Sequence, residues 1–147
     1  MTRIDFYVLT SKEADAAEHT SCRLVEKAYG LKHAIYIHTR DRQQAEQMDK
    51  LLWIFRDSSF IPHQLHHPEA KNDSPVIIGH DTGSDAELAR QHQLLINLDQ
   101  TVPPFFSRFE RVAEIVSGDE AQRNNARERF KFYRERGYEL KTHELAG

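Results

Sequence analysis

Cysteine is nearly absent: the 147 residues hold one, Cys22. It cannot close an internal disulfide or build a cysteine-rich zinc site. Glycine is missing where nucleotide chemistry needs it. The first strand–helix junction, Thr10–Ser11–Lys12, has none, and neither G-x-G-x-x-G nor G-x-x-x-x-G-K-[ST] occurs anywhere. Without such glycines the backbone cannot closely approach a pyrophosphate. Gly79 and Gly83, in GHDTG, match no phosphate-loop spacing. There is no G-x-S-x-G elbow for a serine nucleophile. No run approaches the roughly 20 apolar residues of a membrane span. The opening MTRIDFYVLTSKEADAAE lacks the apolar core and small-residue cleavage site of a secretory signal. An excess of positive charge is also lacking. The formal net charge is −3 and the pI about 6.3, which excludes a globally basic nucleic-acid binder but not a local basic patch.

What is present fits one ordinary domain, residues 1–147, with 39% hydrophobic and 29% charged residues. The expectation is a reduced, cytoplasmic globular domain without a cofactor. DFYVL at 5–9, AIYIH at 34–38, VIIGH at 76–80, LLINL at 94–98 and RVAEIV at 111–116 read as strands. SSFIPH at 58–63 reads as an edge strand or loop, because it ends in proline. Helical spacing of Ala14, Ala17, Ser21, Leu24, Val25 and Ala28 predicts a helix over 12–29, stopped by Gly30. Asp41 caps a second helix over 42–55, with Ala45, Met48, Leu51, Leu52 and Phe55 as its apolar stripe. Asp119 caps a long last helix, 119–136, which ends at Gly137. The polar stretch 64–75 reads as an exposed loop, 81–93 as room for a short surface helix, and 101–106 as a turn entering a helix. Strands alternating with helices predict a three-layer α/β/α fold with a mainly parallel central sheet, Rossmann-like but without a nucleotide-binding loop.

Candidate chemistry is sparse. His63, His66, His67 and His80 lie close in sequence but at no recognised metal-ligand spacing, and read as exposed loop histidines. Cys22 sits mid-helix near the apolar stripe and reads as a small core residue. No catalytic constellation emerges. Two features stand out. The first is the last helix. At about 100° per residue, Arg123, Arg127, Phe130, Lys131 and Arg134 share one face, while Ala126 and Tyr133 turn toward the sheet. Six basic and two acidic residues lie between 123 and 136 in an otherwise acidic chain. A solvated charged face is one reading. A binding face for an acidic partner is the other, because a ring set among cations suits a ligand with an apolar end and several carboxylates. The second feature is KLLWIFRDSSFIPH at 50–63, which gathers Trp53, Phe60, Ile61 and Pro62 around one short loop. Core packing explains any one of these aromatics; an exposed cluster would be an interaction hot spot.

The motifs W-x6-F-[IV]-P-H, here Trp53 to His63, and A-R-E-R-[FY]-K-x-Y-R-x-x-G, here Ala126 to Gly137, resemble those of the chi subunit family of bacterial DNA polymerase III holoenzyme. The likeness extends over nearly the whole chain, through FYVL, VIIG and LLINL. It implies an α/β fold and a non-catalytic linker in the clamp-loader assembly. It implies a site for the acidic tail of single-stranded DNA-binding protein, which ends in Pro-Phe, at Arg127, Phe130 and Lys131, with Arg123 and Val116 contributing. It further implies that Trp53 and Phe60 face the psi subunit, on a surface that also serves an XPD-like repair helicase. Phe130 stands where the family often has tyrosine, so the ring is kept and a hydroxyl lost. Direct binding of single-stranded nucleic acid by the same basic helix is a competing reading, and a degenerate nucleotide-binding enzyme a weaker one.

Overall fold

Three apolar tetrapeptides, Ile35–His38 (β2), Val76–Gly79 (β4) and Leu94–Asn97 (β5), form the heart of the sheet, and every residue in them is buried. Strands this uniformly buried need cover on both faces, as in parallel α/β sheets. The computed structural model describes residues 1–56, 60–68, 71–80 and 91–146. Around the three central strands it places β1 (Arg3–Leu9), β3 (His63–Leu65), β6 (Arg111–Val116) and β7 (Glu139–Leu145). The helices are α1 (Ala16–Gly30), α2 (Arg42–Ile54) and α3 (Glu120–Glu135), with a 3-10 turn at Phe106–Arg108. The strand order is β3-β4-β2-β5-β6-β1-β7, and every pairing is parallel. The expected three-layer fold is therefore present, with a wholly parallel sheet. Side chains alternate along each strand. Leu9, Ile35, Ile37, Ile78, Ile96 and Ile115 pack under α1 and α2. Ile4, Phe6, Tyr36, Ile77, Leu95, Val112 and Val116 pack on the face of α3 and the 3-10 turn.

Neighbouring strands β1 and β6 send their chains to opposite faces, β1 into α1 and β6 into α3. Such a divergence opens a crevice at the carboxyl ends of the strands. Here the two strand ends nearly touch. Gly118 N–H donates to Ser11 O at 2.7 Å. A Cβ on Gly118 would lie 2.5 Å from Thr10 O and 2.6 Å from Ser11 O, both backbone atoms. Gly118→Ala is therefore expected to destabilise the fold by about 2 kcal/mol through overpacking, a fall in Tm of roughly 4–8 °C. Thermal unfolding followed by circular dichroism checks this; an unchanged Tm would show that the strand ends move apart freely.

The same contact explains where α1 starts. Ser11 is pinned to the end of β6, and helix begins at Ala16 rather than at residue 12, leaving Ala14 exposed. At its other end Gly30 lies inside the helix, and Lys32 takes the left-handed conformation at φ 64°. Asp41 and Asp119 cap α2 and α3 as expected, accepting from Gln44 N at 2.9 Å and Gln122 N at 3.1 Å. Gly137, at φ 81°, closes α3: Tyr138 N–H reaches Tyr133 O and Gly137 N–H reaches Arg134 O. Two further expectations need correction, and one element is new. The stretch 64–75 is not all loop, because β3 runs into it. The turn at 101–106 leads into a 3-10 turn only. β7 stands where no strand was expected, paired along its whole length with β1. The helix expected at 81–93 falls mostly outside the described residues.

β7 also completes a charged cluster on the face away from α3. Asp5 Oδ2 accepts from Arg111 Nε at 2.7 Å, and its Oδ1 lies 3.0 Å from His143 Nε2. Burial raises the Asp5 pKa, but the His143 and Arg111 hydrogen bonds and the charges of Arg111 and Arg3 outweigh it, so the carboxyl titrates below its ordinary value. A carboxyl with a lowered folded pKa binds fewer protons folded than unfolded. Its stabilisation is full above the unfolded value near pH 4 and is lost as pH falls through the lower folded value. Asp5→Asn should therefore flatten the decline of Tm below about pH 4. An acid limb identical to that of the unmodified chain would assign the decline to other carboxyls.

Candidate protein-docking sites

Between α3 and the adjoining strands β6, β1 and β7 lies a cleft of about 200 Å³ lined by Phe6, Val8, Val116, Ala126, Phe130 and Thr142, together with Arg123 and Arg127. The helical repeat explains the grouping. Ala126 and Tyr133 are buried against the sheet, which leaves Arg123, Arg127 and Phe130 along the cleft. The Phe130 ring packs 5.3 Å from Phe6, centroid to centroid. The Arg123 guanidinium is fixed by Nη2 donating to Leu9 O at 3.1 Å, while its buried Nε has no hydrogen-bond partner among the described residues. Arg127 Nη1 donates to Asn124 Oδ1 at 2.6 Å. Among the described residues neither arginine has a carboxylate within 4.0 Å. Two uncompensated cations thus border an apolar hollow, a pairing that attracts a ligand with carboxylates and an apolar end.

Of the five residues singled out on this side, Val116, Arg123, Arg127 and Phe130 come together in the cleft. Lys131 does not line it; it is exposed, 3.9 Å from Glu135. Arg134 lies 6.0 Å from the Phe130 ring centroid. Arg129, within the same basic run, is not on the surface at all. It is 5% exposed and donates from Nε to the fully buried Glu114 at 3.0 Å. Tyr133 Oη donates to the same carboxylate at 2.6 Å and Asn97 Nδ2 at 3.0 Å. Full burial pushes the Glu114 pKa up, against the pull of Arg129, Tyr133 and Asn97. Burial and Glu114 push the Tyr133 hydroxyl far up, so it stays protonated and donates. Sequence reasoning missed this pair. Its signal was a lone carboxylate inside the apolar strand RVAEIV, which demands a buried cation.

At the far side of the molecule, α2 ends beside the edge strand β3. Trp53 and Phe60 are 51% and 66% exposed, with ring centroids 5.4 Å apart, and Ile54 beside them is exposed as well. Core packing does not account for Trp53. Its ring lies 4.5 Å from that of His63. His63 is buried, its Nδ1 2.7 Å from Ile61 O and its Nε2 3.1 Å from Asp49 O. The reading of His63 as an exposed loop histidine is thereby corrected: it is the platform under an aromatic patch. Ile61 is buried too, so the exposed cluster is Trp53, Ile54 and Phe60. Cys22 is buried, its thiol pushed up to about 12 by burial, as befits a core residue rather than a nucleophile. Among the described residues no cluster of three or more His, Cys, Asp or Glu side chains could hold a metal ion, and no helix is long and apolar enough to cross a membrane.

The patch and the cleft lie toward opposite ends of the strand order. The cleft borders β6, β1 and β7, at the ends of the strands and on the α3 face. The patch borders β3, at the start of the strand and on the α1–α2 face.

Comparison with known proteins agrees with the motifs. The family described as DNA polymerase III chi subunit, HolC, matches residues 1–141. The DNA polymerase III subunit chi of Pseudomonas aeruginosa is 41% identical over 145 residues, 99% of this chain and 98% of the relative. Those of Haemophilus influenzae and Escherichia coli K12 are 29% and 27% identical, over 93% and 97% of both chains. This chain belongs to the chi subunit family of DNA polymerase III, and so is an accessory subunit in DNA replication with protein partners in that complex.

Proposed function

We propose that this chain is a non-catalytic, cytoplasmic linker that joins the clamp loader, through psi, to the acidic C-terminal tail of single-stranded DNA-binding protein. The observation that carries the tail site is the apolar cleft flanked by Arg123 and Arg127, neither with a carboxylate partner among the described residues. An apolar cavity of about 150 Å³ holds a benzene ring, so a cleft of about 200 Å³ has room for the terminal phenylalanine. Val116, Phe130 and Phe6 contact the ring. Arg127 and Arg123 meet the terminal and side-chain carboxylates, with Lys131 adding longer-range attraction from outside the cleft. The exposed Trp53–Phe60 patch receives psi, and the same surface serves an XPD-like repair helicase. Because the two sites sit on opposite edges and faces, both partners fit at once.

Fluorescence polarisation of a labelled acidic peptide ending in Pro-Phe, at low and moderate salt, tests the tail site. Saturable binding is expected, weaker at the higher salt because exposed charges are screened, and lost when the terminal phenylalanine is removed. A labelled oligonucleotide is the counter-probe. No peptide binding at low salt, or oligonucleotide binding in its place, would overturn the assignment and favour the basic helix as a nucleic-acid contact.

A further inference from the structure

The helix that carries the cleft's cations packs on the sheet through Ala126 and Tyr133, with Phe130 and Phe132 partly buried against the same core. Its buried residues are Ala126, Arg129 and Tyr133. Apolar contact is non-directional, so Ala126 and the Phe130, Phe132 and Tyr133 rings hold the helix on the sheet without selecting one rotation. Two of the three buried side chains reach one group. Glu114 Oε1 takes Arg129 Nε at 3.0 Å, Oε2 takes Tyr133 Oη at 2.6 Å, and Asn97 Nδ2 lies 3.0 Å from both oxygens. Arg129 Nη1 donates onward to Gln100 O at 3.4 Å and to Asn125 Oδ1. Donors from α3 and β5 thus converge on one acceptor in the middle of β6. Hydrogen bonds have length and direction, so together they fix both the rotation of α3 and its position along its axis. The cleft is the immediate neighbour. Phe6, in its floor, is the register partner of Glu114, and Arg127 and Phe130 flank Arg129 in the helix.

We infer that the Glu114–Arg129–Tyr133–Asn97 network is the positioning device of the docking cleft, setting the rotation of α3 so that Arg123, Arg127 and Phe130 present a preformed face to an acidic peptide. The inference rests on the docking role proposed above. A preformed face lowers the ordering cost of binding. Apolar replacements of a buried ion pair often preserve stability, but they lack the directional contacts that select one arrangement.

Two variants of the full chain separate positioning from stability. The triple variant Glu114→Leu, Arg129→Met, Tyr133→Phe replaces the charges and the hydroxyl with apolar groups. It is expected to melt within a few degrees of the unmodified chain, to bind the Pro-Phe peptide at least tenfold more weakly, and to exchange its α3 amides faster. Tyr133→Phe removes one hydroxyl and keeps the ring, and decides the question if the triple variant does not fold. It is expected to bind three- to tenfold more weakly, with faster exchange across 120–135 and unchanged exchange in α2. Unmodified peptide affinity in a folded variant, or α3 exchange no faster than in the unmodified chain, overturns the positioning role. Failure of the unmodified chain to bind the peptide sinks the docking reading instead. The exchange comparison then still decides whether the network fixes α3.

Discussion

Arg127→Ala is expected to bind the acidic Pro-Phe peptide roughly thirtyfold more weakly than the unmodified chain and to unfold at the same temperature. The size follows from what is removed. A hydrogen bond to a charged group contributes about 2 kcal/mol, and 1.4 kcal/mol is tenfold in Kd. Arg127 is exposed and, among the described residues, its side-chain hydrogen bond reaches Asn124 on its own helix, so truncation takes nothing from the core. Lys131→Ala is the internal comparison. It lies outside the cleft and within reach of Glu135, and exposed pairs contribute below about 1 kcal/mol. Its effect should be a few-fold and should vanish at high salt. Polarisation titrations and thermal melts of both variants check the contrast. Equal losses for the two would mean that diffuse charge, not the cleft, attracts the peptide.

Trp53→Ala is expected to lose psi in a pull-down while keeping peptide affinity and Tm. Large aromatics dominate interface energetics, and truncating one at a hot spot costs about 2–3 kcal/mol, roughly 30- to 150-fold in Kd. In the free chain Trp53 is 51% exposed, and its ring lies against those of Phe60 and the buried His63. The solvent-facing part of the ring contributes nothing to the free fold, so its loss should register mainly in binding. Phe60→Ala should act in the same direction. A Trp53→Ala chain that still captures psi at the same concentration would move the interface elsewhere.

The reach of sequence reasoning followed the physics of burial. Strands covered on both faces announce themselves as apolar runs, and β1, β2, β4, β5 and β6 were all legible in this way. Capping chemistry located α2 and α3 to within a residue or two. β7 was not legible because ELKTHEL is an edge strand, half exposed, whose order comes from pairing with β1. The start of α1 was misread because its limit is set by a tertiary contact between Ser11 and Gly118, over a hundred residues away in sequence. In the cleft, helical spacing alone brought Arg123, Arg127 and Phe130 to one face. It did not show that Lys131 falls outside, since that depends on where the sheet ends. Arg129 looked like one more surface cation, because its partner Glu114 lies on another element. The exposure of Trp53 was open in the sequence, since a tryptophan at a helix end packs inward or outward according to what lies beneath it. Here the buried His63 ring fills that space.

Whether the two separated surfaces are used together is read from the Kd of the labelled Pro-Phe peptide for this chain, measured alone and with saturating psi. A ternary complex is expected, with a peptide Kd unchanged within about twofold, because non-overlapping sites without a shared moving element do not couple. Displacement of the peptide by psi would place both partners on one surface and contradict this expectation.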